Sequence, residues 1–170
     1  NDMISSVYFY DARKNILFTS SGEQYKFEDF YDKGWYESLK NELVSPIFVD
    51  THGIRIPGKS AEENVIKIIY KSFNIDGNAF VININVDYIY NRILKRIDTT
   101  TQNTFYVVSD SNNIILNDNR NSLYKEVSQI PFLSKLTNSE EGFFVDRFEN
   151  RNLLVVFETS EALGWKFVAT

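Results

Sequence analysis

The sequence contains no cysteine and a single histidine, His52. That excludes a disulfide framework, a thiol nucleophile and every Cys/His zinc pattern. A Ser-His-Asp triad would have to be built on His52. Proline (3) and glycine (7) are scarce in 170 residues, so collagen-like and linker-like architectures are excluded. Glycine is also too sparse for a phosphate-cradling loop. Acidic residues (23) outnumber basic ones (18), a formal net charge of -5, and no nucleic-acid partner is expected. No run approaches the roughly 20 apolar residues of a membrane span, and no signal peptide is visible. Nothing in the composition asks for a metal or a cofactor.

Aromatic residues, by contrast, reach 15%, with Phe 14, Tyr 10 and Trp 2. Disordered chains lack such residues, so the chain is expected to fold. Its length suits one domain with a real core, or two small ones.

Val7–Thr19 reads as a hairpin around the polar turn Asp11-Ala12-Arg13-Lys14-Asn15. Phe27, Phe30, Tyr31, Trp35 and Leu39 fall at helical spacing, which predicts an amphipathic helix over Phe27–Leu43 with Gly34 as its weak point. Ile47–Asp50 is a short strand, and Thr51–Glu63, with Gly53, Pro57, Gly58 and Ser60, reads as a loop. Val65–Phe73 and Ala79–Asn85 are strands joined by Asn74-Ile75-Asp76-Gly77, and Val86–Ile97 is a helix. After a polar joint, Asp98–Asn103, a second hairpin pairs Thr104–Ser109 with Ile114–Asn117. Leu123–Val127 and Pro131–Leu136 are short helix candidates. Phe143–Phe148, Leu153–Thr159 and Trp165–Ala169 are the last strands.

The two halves repeat each other. Tyr10-Asp11-Ala12-Arg13-Lys14-Asn15-Ile16-Leu17 lines up with Ser109-Asp110-Ser111-Asn112-Asn113-Ile114-Ile115-Leu116. Phe48-Val49-Asp50 returns as Phe144-Val145-Asp146. Asn64-Val65-Ile66 matches Asn152-Leu153-Leu154, and Gly77-Asn78-Ala79-Phe80-Val81 matches Gly164-Trp165-Lys166-Phe167-Val168. Both halves run hairpin, helix, three strands. Only the first carries the long loop with His52 and Arg55, and long loops in compact domains are usually functional or disordered. The second ends at Thr170, where its matching helix would begin, as expected of a piece of a longer chain.

This order, with Phe30-Tyr31-Asp32-Lys33-Gly34-Trp35-Tyr36 in the first half, resembles the double-Cache sensor domain. So do Phe80–Ile89, which close that half, and Gly164–Val168, near the end of the second. The resemblance implies an α+β fold of two tandem PAS-like (Cache) lobes, each an antiparallel sheet with flanking helices. Residues 1–97 would form a membrane-distal, ligand-binding lobe and 98–170 a membrane-proximal one. It implies the extracellular sensing part of a bacterial transmembrane receptor: a sensor histidine kinase, a chemoreceptor or a membrane-bound AraC-type regulator. Such a domain would have no catalysis of its own. Its place would be the outer side of the cell membrane, attached through flanking helices outside this chain. The resemblance leaves room for a homodimer in the full-length receptor.

Amino-acid-binding members of that family grip the ligand with an Arg shortly before a Trp-Tyr pair and an Asp near the end of the lobe's last strand. Here Trp35 and Tyr36 match the pair, Lys33 and Gly34 stand where the Arg would be, and Asn83 stands at the Asp position. Both departures remove charge. The expected ligand is therefore a small polar or anionic metabolite, with free α-amino acids bound weakly. The candidate binding residues are Trp35, Tyr36, Asp50, His52, Arg55, Tyr70 and Asn83. Five of them have a plainer use: Trp35 in the core stripe, His52 and Arg55 in a solvated loop, Tyr70 on a core strand, Asp50 in a turn its counterpart Asp146 shares. Asn83 alternates with Ile82 and Ile84 and so faces away from them. Glu62-Glu63 reads as loop charge and would be a catalytic dyad only with a facing carboxylate. Two other classes stay open: an interaction or dimerisation module whose aromatics meet a partner, and a soluble carboxylate-based enzyme.

Overall fold

A computed structural model of the chain describes residues 2–72, 77–92, 104–117, 119, 122–123, 125–136 and 139–170. The chain divides into two compact units, Asn1–Tyr88 and Ile89–Thr170. The expected joint at 98–103, the turn at 74–76 and the end of the helix at 93–97 lie outside the described residues.

The first unit contains β1 (Ile4–Asp11), β2 (Ile16–Thr19), β3 (Gln24–Lys26), a 3-10 turn (Phe27–Asp29), α1 (Tyr36–Asn41), β4 (Ile47–Ile54), β5 (Glu63–Lys71) and β6 (Ala79–Asn85). Helix α2 (Val86–Arg92) follows β6 directly. The second unit contains β7 (Phe105–Val108), β8 (Ile114–Asn117), two 3-10 turns (Val127–Gln129, Leu133–Lys135), β9 (Glu141–Phe148), β10 (Arg151–Thr159) and β11 (Lys166–Ala169).

Each unit is one antiparallel sheet, ordered β3-β2-β1-β6-β5-β4 in the first and β8-β7-β11-β10-β9 in the second. Leaving out β3, the two orders are the same, so the sequence repeat is a repeat of topology. Its turns repeat as well. Asn15 and Asn112 both take a left-handed backbone (φ 55° and 61°) in the first hairpin, a conformation asparagine tolerates. The next segment docks on each of them alike, Phe27 N donating to Asn15 O at 3.0 Å and Val127 N to Asn112 O at 2.9 Å. Gly77 and Gly164, with φ 82° and 68°, precede β6 and β11.

The helix expected over Phe27–Leu43 is two short pieces, Phe27–Asp29 and Tyr36–Asn41, with Phe30 extended between them (ψ 137°). Tertiary bonds override the helical period: the Asp32 carboxyl is drawn to the sheet, and its carbonyl accepts from Trp35 Nε1 at 2.8 Å. Gly34 adds to the cost of a continuous helix. The apolar stripe still does its work, because Phe30, Trp35 and Leu39 are buried. Phe30 meets Tyr8 edge-on at 4.9 Å and Trp35 meets Tyr10 at 5.6 Å, contacts that add about 0.5–1.5 kcal/mol each beyond burial.

The loop expected over Thr51–Glu63 is shorter. β4 continues to Ile54 and β5 starts at Glu63, with His52 opposite Val65 and Ile54 opposite Glu63, so the loop is 55–62. The helix candidate Pro131–Leu136 contains the 3-10 turn Leu133–Lys135, but Leu123–Val127 is not a helix: Glu126 is extended and bridges to Asn113, and the other 3-10 turn begins only at Val127. In the second unit, Phe132, Leu133 and Ile114 pack against Val155, Phe157 and Val168.

Candidate functional site

On β6 the residues Ala79, Val81, Asn83 and Asn85 face inward, while Phe80, Ile82 and Ile84 take the other face. Pairing across the sheet arranges the inward face in rows. One row is Tyr8, Val81, Ile69 and Ile47. The next is Ser6, Asn83, Lys67 and Val49, then Asn85, Val65 and His52, then Glu63 and Ile54. The face thus grades from apolar to polar along the strands.

A bulge between Val49 and His52 decides where the histidine goes. An extra residue reverses the alternation, so both Val49 and His52 share the face of Lys67. A second register shift, between Ile4 and Ser6, leaves Ser5 outside the regular pairing.

The centre of the polar region is Lys67, whose side chain is 0% exposed. Its Nζ lies 2.9 Å from Asp32 Oδ2 and also donates to His52 Nε2. Tyr8 OH donates to the same Asp32 oxygen. Asn83 Nδ2 donates to Ser6 Oγ at 2.8 Å and lies 3.4 Å from Tyr8 OH and 3.5 Å from Asp32 Oδ2. These partners define the histidine tautomer. An ammonium can only donate, so His52 Nε2 accepts, and Nδ1 donates to Asp50 O at 2.8 Å. The ring is neutral. Burial holds its pKa below the usual value of 6.5, and the Lys67 charge lowers it further. Burial also lowers the Lys67 pKa against the pull of Asp32. Burial and the Asp32 charge raise the Tyr8 phenol well above its usual value.

Asn83 is 0% exposed and its Oδ1 has no hydrogen-bond partner. A buried acceptor left unpaired costs about 1–3 kcal/mol. One row further on, a cleft of about 680 Å³ opens between the strand ends and the 55–62 loop. Asp2, Ile4, Ser5, Lys59, Glu63 and Asn85 line it, with Gly58, Ser60 and Ala61. The volume is that of a small-ligand pocket.

The equivalent positions of the second unit show what the fold alone needs. Ile69 and Val81 pair in one sheet as Phe157 and Val168 do in the other, which makes Val155 the counterpart of Lys67. Val155 is fully buried and apolar. The lysine is therefore an addition to the first unit and not a demand of the architecture.

The structure brings Asn83 and His52 together and holds them to Lys67 and Asp32. Trp35 is enclosed in the aromatic core and touches the cluster through the Asp32 carbonyl. Tyr36 packs on Phe27 at 4.5 Å, with Lys40 over its ring. Asp50 supplies its backbone carbonyl to His52, and its side chain is half-buried. Arg55 is exposed at the start of the 55–62 loop. Tyr70 pairs with Phe80 on the face away from the cluster and is 45% exposed, because it lies three positions along β5 from Lys67 and so has the opposite parity. Sequence reasoning missed Lys67, Asp32, Tyr8, Ser5 and Asn85. The available signal was a lysine inside the apolar run Val65-Ile66-Lys67-Ile68-Ile69, opposite an asparagine in the next strand.

Two tandem antiparallel sheets of one topology, with few helices, define a tandem PAS-like α+β fold. Solved structures share it along nearly the whole chain. The periplasmic sensory domain of the Campylobacter jejuni chemoreceptor Tlp1 matches with a TM-score of 0.69 at 9% identity, covering 98% of this chain and 71% of that one. The ligand-binding domain of the Pseudomonas aeruginosa chemoreceptor PctB, solved with L-Arg, matches with a TM-score of 0.73 at 11% identity, over 98% and 70%. The extracellular domain ascribed to the histidine kinase rpHK1S-Z16 gives 0.70 at 10% identity, over 98% and 70%. No protein-family model matches the sequence, and neither does any curated protein.

Proposed function

We propose that this chain is the extracellular sensing domain of a bacterial transmembrane receptor, and that its first unit binds a small polar metabolite. The observation that carries the reading is the polar end of the first unit's inward face, built on Lys67 where the repeat has Val155. The sensory domains that share the fold support it. In this reading the first unit is membrane-distal and the second membrane-proximal. The ligand acts by preferring one conformation of the distal unit, which shifts the population of a two-state element running to the membrane. Arg55, exposed on the 55–62 loop and in no ion pair among the described residues, is the cation for any anionic group of the ligand. The domain performs no catalysis of its own.

Calorimetry and NMR on the 170-residue chain test this against a panel of small polar metabolites. Saturable 1:1 binding is expected, with amide shifts at Lys67, Asn83 and Asn85. Binding that shifts only β7–β11, or no binding across the panel, overturns the assignment.

One observation favours a second reading, an interaction module. Phe143 is 77% and Val145 68% exposed on β9, beside the exposed Leu154 and Val156 of β10. Contiguous apolar surface of this kind is common at protein interfaces. Sedimentation that changes with protein concentration and is abolished by Phe143→Ser would support it.

A further inference from the structure

The edge of a β-sheet presents unpaired N–H and C=O groups, and proteins blunt it with short strands, lysine, bulges or a covering segment. In the first unit β3 is three residues long and ends in Lys26, and β4 carries the bulge between Val49 and His52. In the second unit β8 is four residues long and is covered: Ile114 N donates to Lys125 O and Val127 N to Asn112 O, both at 2.9 Å. β9 has none of these devices. It runs for eight residues, Glu141–Phe148, in unbroken register with β10 and without lysine or proline. Among the described residues no strand pairs with its other side.

The turn decides which backbone groups face that side. Glu149 and Asn150 (φ 48° and 63°) form a two-residue hairpin loop, so Phe148 and Arg151 are a hydrogen-bonded pair. Counting back by twos, Asp146, Phe144 and Gly142 bond to β10, and Thr159 N donating to Glu140 O continues the series. The N–H and C=O groups of Glu141, Phe143, Val145 and Arg147 therefore point out of the sheet edge. Among the described residues only the Arg147 N–H is engaged, by Asp146 Oδ1 at 2.8 Å. The side chains of Phe143 and Val145 share one face with Leu154 and Val156, and exposure rises toward the edge. It is 53% and 46% for Leu154 and Val156 on β10, and 68% and 77% for Val145 and Phe143 on β9.

This strand is complementary to itself. Laid antiparallel about Phe144, a second β9 sets Glu141 against Arg147 and Phe143 against Val145, so acid meets base and apolar meets apolar. Centring the pair on Val145 would oppose Glu141 with Glu149, and centring it on Phe143 would oppose Glu141 with Val145. The one charge on the inner face of β9, Asp146, already pairs with Lys135 at 2.7 Å and meets Gly142 when the axis lies at Phe144. A cleft of about 430 Å³ lies along the strand, with Gly142, Phe143, Phe144, Val145 and Phe157 in its wall.

We propose that β9 is a homodimer seam. Two copies of the second unit join edge to edge, antiparallel about Phe144, and Phe143 of each exchanges N–H···O=C bonds with Val145 of the other. The proposal rests on the interaction-module reading above and names its partner and register; it requires no metabolite in the first unit. A two-fold seam occupies the free edge of both copies, so assembly stops at the dimer.

Sedimentation velocity on the 170-residue chain tests it. A reversible monomer–dimer equilibrium is expected. Val145→Pro removes an N–H that the β10 ladder does not use, so it should weaken the dimer at least tenfold, and the melting temperature of the dilute variant checks that it folds. Glu141→Arg and Arg147→Glu each put like charges across the seam and should weaken it at least fivefold. The double variant exchanges the charges and should return to within twofold of the parent. An equimolar mixture of the two single variants should form the heterodimer in preference to either homodimer. Restoration by a second substitution cannot come from damaged folding. If neither the double variant nor the mixture restores association, the seam is overturned. If Phe143→Ser abolishes association and Val145→Pro leaves it intact, the seam falls while the interaction reading stands, with the sheet face as its contact. A chain that stays monomeric up to about 1 mM overturns both.

Discussion

Lys67 and Asp32 form an ion pair in the interior of the first unit, Nζ to Oδ2 2.9 Å, with side chains 0% and 3% exposed. Taking two charges out of water costs several kcal/mol per ion, and the mutual attraction plus the bonds from Tyr8 and to His52 offset it. Removing one partner strands the other. Lys67→Met is expected to destabilise the first unit by about 3–5 kcal/mol. The double variant Lys67→Met with Asp32→Leu should recover most of that loss. Urea unfolding followed by Trp35 fluorescence measures both, and equal losses in single and double variants would contradict the pairing.

His52 is the only histidine, so its imidazole resonances are unambiguous. Its folded pKa is depressed below 6.5, by burial first and then by Lys67. In the window below 6.5 the unfolded chain binds the extra proton and the folded chain does not. Stability is then full above 6.5 and falls as pH falls toward the folded pKa. The groups facing the ring are Lys67, Asp32 and the Asp50 carbonyl. An NMR titration should place the imidazole midpoint below 6.5, and His52→Gln should flatten the acid slope of stability. A midpoint above 6.5 would contradict the neutral tautomer.

Asn83→Asp sets a second carboxylate beside Asp32, whose Oδ2 is 3.5 Å from Asn83 Nδ2. Two carboxylates at that distance resist joint ionisation. The variant should be less stable than the parent at pH 7, with the gap closing on acidification as one carboxyl protonates. Its ligand preference should move toward amine-bearing ligands. Thermal unfolding from pH 4 to 8 reads the first effect and calorimetry the second.

Gly77 and Gly164 hold equivalent left-handed positions, so replacing either with alanine should cost about 1–2 kcal/mol. Their surroundings differ. A Cβ at Gly164 comes no nearer than 3.5 Å to Asp110 Cβ, but at Gly77 it meets Ala12 Cβ at 2.9 Å. Gly77→Ala is therefore expected to be the more damaging, and the two melting temperatures compare them directly.

Tyr70 supplies a control. It lies on the face away from Lys67, so Tyr70→Ser should leave metabolite affinity within about twofold, since substitutions away from such features usually move free energy by less than about 0.5 kcal/mol. A tenfold loss would place the ligand on the other face.

The strand runs and their punctuation were legible in the chain. Short-range signals carry them: β-branched and aromatic runs bounded by Asn, Asp and Gly turns, repeated in one order. Because both copies use the same signals, the repeat announced two sheets of one topology before any contact was known. Asn83 was legible for a similar reason, since alternation with Ile82 and Ile84 assigns it a face without any knowledge of the partner strand.

The tertiary structure decided what local periodicity could not. Phe27–Leu43 has a helical spacing of aromatics, yet the bonds that Asp32 accepts from Lys67 and Tyr8, residues far away in sequence, break the helix into two pieces. His52 faces Lys67 only because a bulge shifts the pairing of β4 with β5, and a register shift has no signature in one strand read alone. Lys67 reads as an ordinary strand lysine until the sheet buries it opposite Asn83 and beside Asp32. Composition and period report which face of an element is apolar. The charge partners, the unpaired acceptor and the cleft beside them exist only when strands distant in the chain are brought into register.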